Sequence, residues 1–439
     1  MIKKLGIKPS NLSIYIADSK TQKVLASFRE SASMRPASVI KLATTYASLL
    51  EMGPDFRWPT QFFYTGSYEN GKIGGDLIVK AYGDPTLSCR DIPSIVDRLV
   101  SLGVKGIDGD IVIDRSFFSV DGRIASGFDS NRYSEYNAMP DALMFDDHLC
   151  KIIVDPRSGK ASVSKAIDVP DYRVVNRIKV TNKRCTSRYS WPMVRIREEN
   201  GIPTVFLSGT LSKRCSPRHI GKVLSRTYAE FFQALKSEFV KKGVKFDGGM
   251  RLENLSPDAR LLMTHYARPL IDIVAKTNKK SNNLYARHIF LLVGARVLGS
   301  PATVEKGRIA VHSIFEKRGI FGPETILDNG CGLSRTARTT ASSLYLLLQD
   351  AYRNFGDRWM KALSIAGRDG TIRRRFRNSV VRGKAWMKTG TLKDAKNIAG
   401  YVKGGSGRLY TVVILYNGNR KWLASTLQNR IITWLVKKR

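Results

Sequence analysis

The sequence predicts an α+β multidomain protein, and three observations carry that prediction. Alternating apolar and polar residues predict strands near both ends of the 439-residue chain. Helical patterns dominate the segments next to these strands. Residues 149–215, in contrast, consist of short strand-like runs. A chain of this length has room for roughly two to four domains.

The two ends of the chain are predicted to share one sheet. Residues 12–28 alternate in two runs, SIYIA and KVLASF, which predicts a β-hairpin. Pro36-Ala37-Ser38 then opens a helical pattern that Gly53-Pro54 closes. Later in the chain, helices are predicted at 270–276, 283–297, 302–318 and 421–437, and strands at AWMKTGTL, KNIAGYVKG and LYTVVILYNG. We therefore expect one sheet built from the hairpin and these three strands.

The middle of the chain is predicted to be inserted into that domain. Residues 61–148 contain short strands, Gly/Asp turns and a helix near 91–102. A helix at about 223–242 and further short strands follow the β-rich stretch. The expected domains are residues 1–60 with 265–439, residues 61–148 with 216–264, and a mainly β inner domain at 149–215.

The charge balance is unusual, because 73 Lys and Arg against 37 Asp and Glu give a net charge of +36. Such a chain attracts polyanions, for which nucleic acid, an acidic membrane surface and an anionic wall polymer are candidates. A solvated basic surface without a partner is the alternative. A hydrophobic content of 43% excludes a disordered basic tail. No apolar run reaches the roughly 18 residues that span a membrane.

Neither the cysteines nor the N-terminus indicates a metal site or an intact signal peptide. The five cysteines include no CxxC spacing, so a zinc or redox motif is not expected. Cys185 and Cys215 could form a disulfide. The start, MIKKLGIKP, is basic but has no apolar segment before Pro9. The sequence therefore leaves open a cytosolic protein or one whose signal has been removed.

Three short motifs carry the chemical interpretation. An SxxK motif spans Ser38 to Lys41 at the predicted start of a helix. An SxN motif spans Ser281 to Asn283 between two helices, and a KTGT motif spans Lys388 to Thr391 on a predicted strand. A second SxxK, at 162–165, lies in a strand-like segment and is interpreted as surface.

The first motif has the parts of an activated nucleophile. A serine hydroxyl needs a base, and Lys41 lies one helical turn after Ser38 on the same face. Unpaired N–H groups at a helix start can hold a developing oxyanion. Lys41 can act as the base only if its pKa falls, which burial and a second cation, here Lys388, would achieve.

The other two motifs supply supporting groups. Ser281 can relay a proton toward a leaving amine, and Asn283 can orient Lys41 and the substrate amide. Gly390 would permit close approach of a substrate that adds to the strand edge.

With these motifs in this order, the chain resembles the penicillin-binding, active-site-serine DD-peptidases, and among them the low-molecular-mass class C group, peptidase family S13. The feature that distinguishes this group is the spacing of 243 residues from Ser38 to Ser281. In this family, two nested domains are inserted there. Other segments similar to the family are GDPTL at 83–87, DNGCGLSR at 328–335, GRDGTIRRRF at 367–376 and KTGTLKDAKNIAGYV at 388–402. The resemblance implies a serine β-lactamase/DD-peptidase-like domain, an antiparallel sheet flanked by helices, with two nested inserted domains.

The resemblance also implies a D-alanyl-D-alanine carboxypeptidase, often with endopeptidase activity, that acts on peptidoglycan stem peptides through an acyl-enzyme on Ser38. Backbone N–H groups of Ser38 and Thr391 would form the oxyanion hole. The hydroxyls of Thr389 and Thr391, with Lys388, would hold the substrate carboxylate. β-Lactam antibiotics would acylate the same serine. No metal or organic cofactor is implied, and the expected location is periplasmic or extracytoplasmic.

Two residues depart from the family pattern in the DNGCGLSR stretch. Asn329 stands where the family has glycine, and Cys331 stands where it has serine. Arg335 matches the family and is the candidate contact for a side-chain carboxylate of the stem peptide. A surface guanidinium without that role is the alternative.

A tyrosine in the inserted part is a second candidate for specificity. Tyr136 could line the pocket for the substrate side chain, although a merely packed ring is the alternative. The family often has an acidic residue just upstream, whereas this chain has Asn131 with Asp129 close by. The preference for a side-chain amine is therefore open.

Three other functions compete with this interpretation. A β-lactamase uses the same first steps, and residues 324–328, ETILD, partly match the Glu-xx-Leu-Asn loop of class A enzymes. We interpret that match as chance. A basic wall-polymer or nucleic-acid binding protein on an inactive peptidase fold is the second alternative, but no nucleic-acid motif is present and no nucleic-acid partner is expected. A weak esterase or amidase is the third.

The excess charge is concentrated near the C-terminus. Residues 361–439 hold 19 Lys and Arg against 2 Asp and Glu. This distribution predicts a basic face around or behind the cleft, which would steer the enzyme to an anionic membrane or wall.

Overall fold

The computed structural model describes residues 5–438, and the chain divides into two compact units. One unit joins Met1–Arg57 to Arg268–Arg439, and the other is Trp58–Ala267. These boundaries lie within a few residues of the expected ones at 60 and 265. The further division of the second unit at 149 and 215 stays a prediction.

The first unit is built on one six-stranded antiparallel sheet. Its strands are β1 (Leu12–Asp18), β2 (Val24–Phe28), β3 (Ser364–Ile365), β4 (Ala385–Leu392), β5 (Ala395–Lys403) and β6 (Leu409–Tyr416). The order across the sheet is β3-β4-β5-β6-β1-β2. The predicted sheet from both chain ends is therefore confirmed, with β3 as an additional short strand.

Helices cover both faces of this sheet, and its central strands are therefore buried along almost their whole length. The helices are α1 (Lys41–Met52), α2 (Leu270–Lys280), α3 (Asn283–Leu298), α4 (Val304–Glu316), α5 (Ala341–Lys361) and α6 (Lys421–Lys438). Leu423, Leu427 and Leu435 of α6 belong to the same buried cluster as Ile14 and Ile414 of the sheet. The C-terminal helix thus packs its apolar face on its own domain.

Helix α5 was not predicted from the sequence. A capping signal was nevertheless present, because the side chain of Thr340 accepts a hydrogen bond from the backbone N–H of Ser343. Buried Leu344, Leu347 and Leu348 follow at helical spacing. Helix α2 likewise runs four residues past its predicted end at 276.

The second unit contains four sheets. Its five-stranded sheet has the order Met250–Leu252, Ile111–Asp114, Leu77–Ala81, Pro59–Tyr64 and Arg260–Tyr266. A sheet of two-residue strands has the order Lys245–Phe246, Gly106–Ile107, Lys72–Ile73 and Tyr68–Glu69. The helices of this unit are Ile92–Ser101 and Thr227–Lys241.

The β-rich stretch of the second unit forms two three-stranded sheets around one buried apolar cluster. One sheet has the order Ser162–Lys165, Cys150–Asp155 and Arg218–Lys222, and the other has Arg173–Thr181, Ile202–Ser212 and Met193–Glu199. The second SxxK is therefore a strand, as expected. Cys185 and Cys215, whose pairing the sequence left open, form a disulfide.

Candidate active site

Ser38 lies in a tight turn that leads into a helix. The 3₁₀ turn Ala37–Ile40 runs directly into α1, so Ser38 stands just ahead of the helix start. Ala37 has a positive φ of 49°, which is strained for a residue with a Cβ atom. Its carbonyl oxygen would lie 2.0 Å from any Cβ added to Gly332. The strained turn is thus held by close backbone packing that only glycine at 332 permits.

Lys41 is fully buried and points at the nucleophile. Its ammonium nitrogen Nζ lies 2.9 Å from Ser38 Oγ and 2.7 Å from Asn283 Oδ1. It also donates to the carbonyl oxygen of Cys331. Burial lowers the pKa of Lys41 to about 8; the neighbouring Cys331 raises that pKa, and the charge of Arg287 lowers it. Lys41 can therefore supply a neutral amine near neutral pH.

Arg287 was missed from the sequence, which assigned the second cation to Lys388. Arg287 is buried on α3, one helical turn after Asn283, so both residues lie on the same helix face. The sequence did contain a signal for Arg287, because it follows the asparagine of the SxN motif by four residues.

Ser281 and Lys388 form a second pair in the site. Ser281 ends α2 in the left-handed conformation, with φ of 56°. Its Oγ accepts a hydrogen bond of 2.9 Å from Nζ of Lys388 on β4. Burial, and then the charge of Lys41, hold the pKa of Lys388 well below its usual value. The pair can therefore pass a proton between a serine hydroxyl and a buried amine.

Gly390 brings β4 against the turn that carries Ser38. A Cβ atom added at Gly390 would lie 2.7 Å from the carbonyl oxygen of Pro36 and 3.0 Å from the backbone nitrogen of Ser38. The turn that carries Ser38 thus packs closely on β4 at this glycine, and the suggested approach of a substrate strand stays a prediction. Asn397 of β5 fixes the same turn, since its side chain donates to the carbonyl of Pro36 over 2.8 Å.

The two threonines of the KTGT motif lie at the exposed side of β4. The hydroxyl of Thr389 donates to the hydroxyl of Thr371 over 2.8 Å. The hydroxyl of Thr391, which is exposed, accepts a 3.2 Å hydrogen bond from Lys396. Thr371 and Lys396 were not singled out from the sequence.

The two departures from the family pattern support the base. The side-chain oxygen of Asn329 accepts hydrogen bonds from the backbone N–H groups of Cys331 and Gly332 over 3.1 and 3.3 Å. It also accepts from the buried thiol of Cys331 over 3.1 Å. Because the carbonyl of Cys331 contacts Lys41, Asn329 fixes the loop that holds the base.

Arg335 belongs to the first unit and Tyr136 to the second, and each is described within its own unit. Arg335 is an exposed side chain four residues after Cys331. Tyr136 belongs to the second unit, where its hydroxyl donates to Asp129 over 2.9 Å. Asp129 also accepts from the side chain of Asn137 and the backbone of Asn131. The specificity roles of Arg335 and Tyr136 stay predictions.

The residues described provide no metal centre and no membrane span. Across residues 5–438, no three His, Cys, Asp or Glu side chains gather where they could hold a metal ion. Over the same range, no helix has the length and hydropathy needed to cross a bilayer.

The lowered pKa of Lys41 predicts the pH dependence of acylation. If the neutral amine is the base, the rate of penicillin acylation should rise with pH up to about 8 and level off above it. Arg287→Gln removes a charge that lowers this pKa, so the midpoint should move to higher pH. Stopped-flow acylation between pH 5 and 10 measures both profiles, and an unchanged midpoint in the variant would contradict the role of Arg287.

Comparison with known proteins identifies the family. Residues 2–438 match the family described as D-Ala-D-Ala carboxypeptidase 3 (S13). The chain belongs to this family. The predicted resemblance is thereby confirmed, since this is the S13 family that the motifs indicated.

Individual relatives match over most of their length. The chain is 28% identical over 415 residues to D-alanyl-D-alanine carboxypeptidase DacB of Haemophilus influenzae, covering 93% of this chain and 86% of the relative. It is 25% identical to D-alanyl-D-alanine carboxypeptidase of Actinomadura sp. (strain R39), covering 97% and 81%. The crystal structure of penicillin binding protein 4 (dacB) from Haemophilus influenzae superposes with a TM-score of 0.79 at 25% identity, covering 96% of each chain. The predicted α+β fold class is confirmed.

Proposed function

We infer that this chain is a serine-type D-alanyl-D-alanine carboxypeptidase that is acylated by penicillins on Ser38. The observation that carries the inference is the buried Lys41 amine, 2.9 Å from Ser38 Oγ, in a chain of the S13 family. A buried amine with a pKa of about 8 is matched to proton abstraction near neutral pH.

The acylation step follows from this geometry. Lys41 takes the proton of Ser38 Oγ, which attacks the carbonyl carbon of the penultimate D-Ala. The developing oxyanion is held by backbone N–H groups of Ser38 and Thr391, since β4 lies directly against the Ser38 turn. Asn283, bonded to Lys41 over 2.7 Å, keeps the amine aimed at the hydroxyl.

The leaving group departs on the side of Ser281. Breaking the peptide bond requires a proton on the amine of the terminal D-Ala, and the Ser281–Lys388 pair can deliver it. The hydroxyls of Thr389 and Thr391, with Lys388, hold the carboxylate of that D-Ala. Water then hydrolyses the acyl-enzyme. A β-lactam acylates Ser38 in the same way, but its leaving amine stays tethered to the acyl group.

The same chemistry extends to the polymer. A cross-link in peptidoglycan also ends in a D-Ala carbonyl, so endopeptidase cleavage needs no additional catalytic group. Peptidoglycan lies outside the cytoplasmic membrane, and we place the working enzyme there, in the periplasm or another extracytoplasmic compartment.

Substrate assays test the proposed function against its alternatives. We expect the protein to release D-alanine from a diacyl-L-Lys-D-Ala-D-Ala peptide and to form a stable adduct with penicillin. Rapid turnover of nitrocefin without release of D-alanine would instead indicate a β-lactamase. Turnover of simple thioesters alone would indicate a weak esterase.

A further inference from the structure

Five arginines line one cavity in the first unit and leave their charges unpaired. The cavity has a volume of about 620 Å³ and is lined by Gly367, Arg368, Arg373, Arg374, Arg377 and Arg382. We call this the arginine pocket. All five arginine side chains are exposed. Within residues 5–438, none of the five guanidinium groups has a carboxylate or hydrogen-bond partner.

The acid nearest in sequence is already engaged elsewhere. Asp369 forms an ion pair of 2.5 Å with Lys279 of α2 and accepts the backbone N–H of Ile365 over 2.6 Å. It therefore leaves Arg368 without a neutralising partner. Like charges held this close repel one another, so the pocket is poised to bind an anion.

The loop that carries the arginines is fixed by its own backbone. Gly367, with φ of 67°, donates to the carbonyl of Arg375, and Gly383 donates to Ala366 over 2.9 Å. Arg375 itself is turned inward, where it bonds to Gln428 and Asn429 of α6. Burial lowers the pKa of Arg375 to about 10. Arg375 thus anchors the loop, while its neighbours 373, 374 and 377 face the pocket.

The arginine pocket adjoins the active site through Thr371. The hydroxyl of Thr371 bonds to Thr389, the proposed carboxylate-binding residue of the KTGT motif, over 2.8 Å. Only two peptide units separate Thr371 from Arg373, a backbone span of at most about 8 Å. A substrate that extends beyond a D-Ala-D-Ala end held at Thr389 would therefore have the arginine pocket within reach.

We propose that the arginine pocket binds carboxylates of the peptidoglycan polymer beyond the peptide being cleaved, such as those of a neighbouring stem peptide. This inference rests on the proposed function. The guanidinium fork matches a carboxylate in a two-point hydrogen bond, and several such contacts add affinity for a polymer that a small peptide cannot reach. The pocket thus increases the affinity of the enzyme for the polymer and takes no part in the chemistry at Ser38.

A charge-removing variant tests the proposal against a matched control. Arg373→Gln/Arg374→Gln/Arg377→Gln removes three charges from the pocket. The control, Lys20→Gln/Arg296→Gln/Lys317→Gln, removes three exposed charges that do not line it. Initial rates are compared on isolated peptidoglycan sacculi and on the diacyl tripeptide. Sedimentation with sacculi measures binding separately, with Ser38→Ala present in every protein.

We expect the pocket variant to lose roughly tenfold in rate and binding on sacculi at low salt, because several charge-assisted hydrogen bonds are removed. Its rate on the tripeptide should stay within about twofold of the parent. The difference on sacculi should shrink at about 1 M salt, where the Debye length is roughly 3 Å.

Other outcomes overturn the proposal. Equal binding to sacculi by parent and pocket variant would do so, as would an equal loss in the matched control. A loss confined to anionic phospholipid vesicles or to DNA would assign the pocket to another polyanion. If the parent fails to hydrolyse the tripeptide, the proposed function fails, and sedimentation still decides the role of the pocket.

Discussion

Replacing Lys41 with methionine is expected to slow penicillin acylation of Ser38 by about 10³-fold. A positioned general base contributes roughly 10²–10⁴-fold, and Lys41 is the amine that contacts Ser38 Oγ. Methionine keeps the unbranched shape of the buried stem, so the core around α1 should stay filled. Acylation is followed by intact mass under single-turnover conditions.

The control for this variant is Lys403→Met, which changes an exposed lysine at the end of β5. It should acylate at the parent rate. Circular dichroism and thermal melting of both variants check that the fold persists. An acylation rate for Lys41→Met within tenfold of the parent would show that another group takes the proton of Ser38.

The second large effect is expected for Gly390→Ala. The added methyl group would meet the carbonyl oxygen of Pro36 at 2.7 Å and the backbone nitrogen of Ser38 at 3.0 Å. These are backbone atoms, so the clash can be relieved only by moving β4 away from the nucleophile turn. Because a displacement of about 1 Å can cost 10²-fold in rate, we expect acylation to fall by about that factor or more.

Gly122→Ala serves as the matched control, since a Cβ atom there would meet nothing within 4 Å. Acylation rates and melting temperatures are measured for both glycine variants. A Gly390→Ala enzyme that folds and is acylated at the parent rate would show that β4 can move away from the Ser38 turn without slowing acylation. The close contact with the Ser38 turn would then be irrelevant to catalysis.

The sequence was sufficient for the sheet and for the motifs because both depend on local patterns. The alternation of apolar and polar residues predicted which strands share the sheet. The order of SxxK, SxN and KTGT along the chain indicated the site. Helix α5 was not predicted, although Thr340 caps it.

The parts of the site that the sequence could not supply are those that depend on distant packing. Arg287 acts on Lys41 only because α3 and α1 are brought together, and Asn397 reaches Pro36 across 361 positions of chain. The close contact at Gly390 was not predicted for the same reason, since the atoms that a Cβ would meet there belong to another segment of the chain. Cys331 departs from the family pattern, and its buried thiol donates a hydrogen bond to Asn329, which departs from it as well.

Part of the excess positive charge lies at one site in the structure. The sequence predicted a basic face somewhere near the cleft. Five of the C-terminal arginines line one cavity, on a loop whose Thr371 touches the KTGT strand.

Peptide mapping after labelling with a fluorescent penicillin shows which residue of the protein is acylated. We expect one covalent adduct, located on Ser38, that is absent from Ser38→Ala while the variant keeps the parent melting temperature. Labelling of Ser162, the serine of the second SxxK, or of any other residue would contradict it. So would the absence of any adduct on folded parent protein.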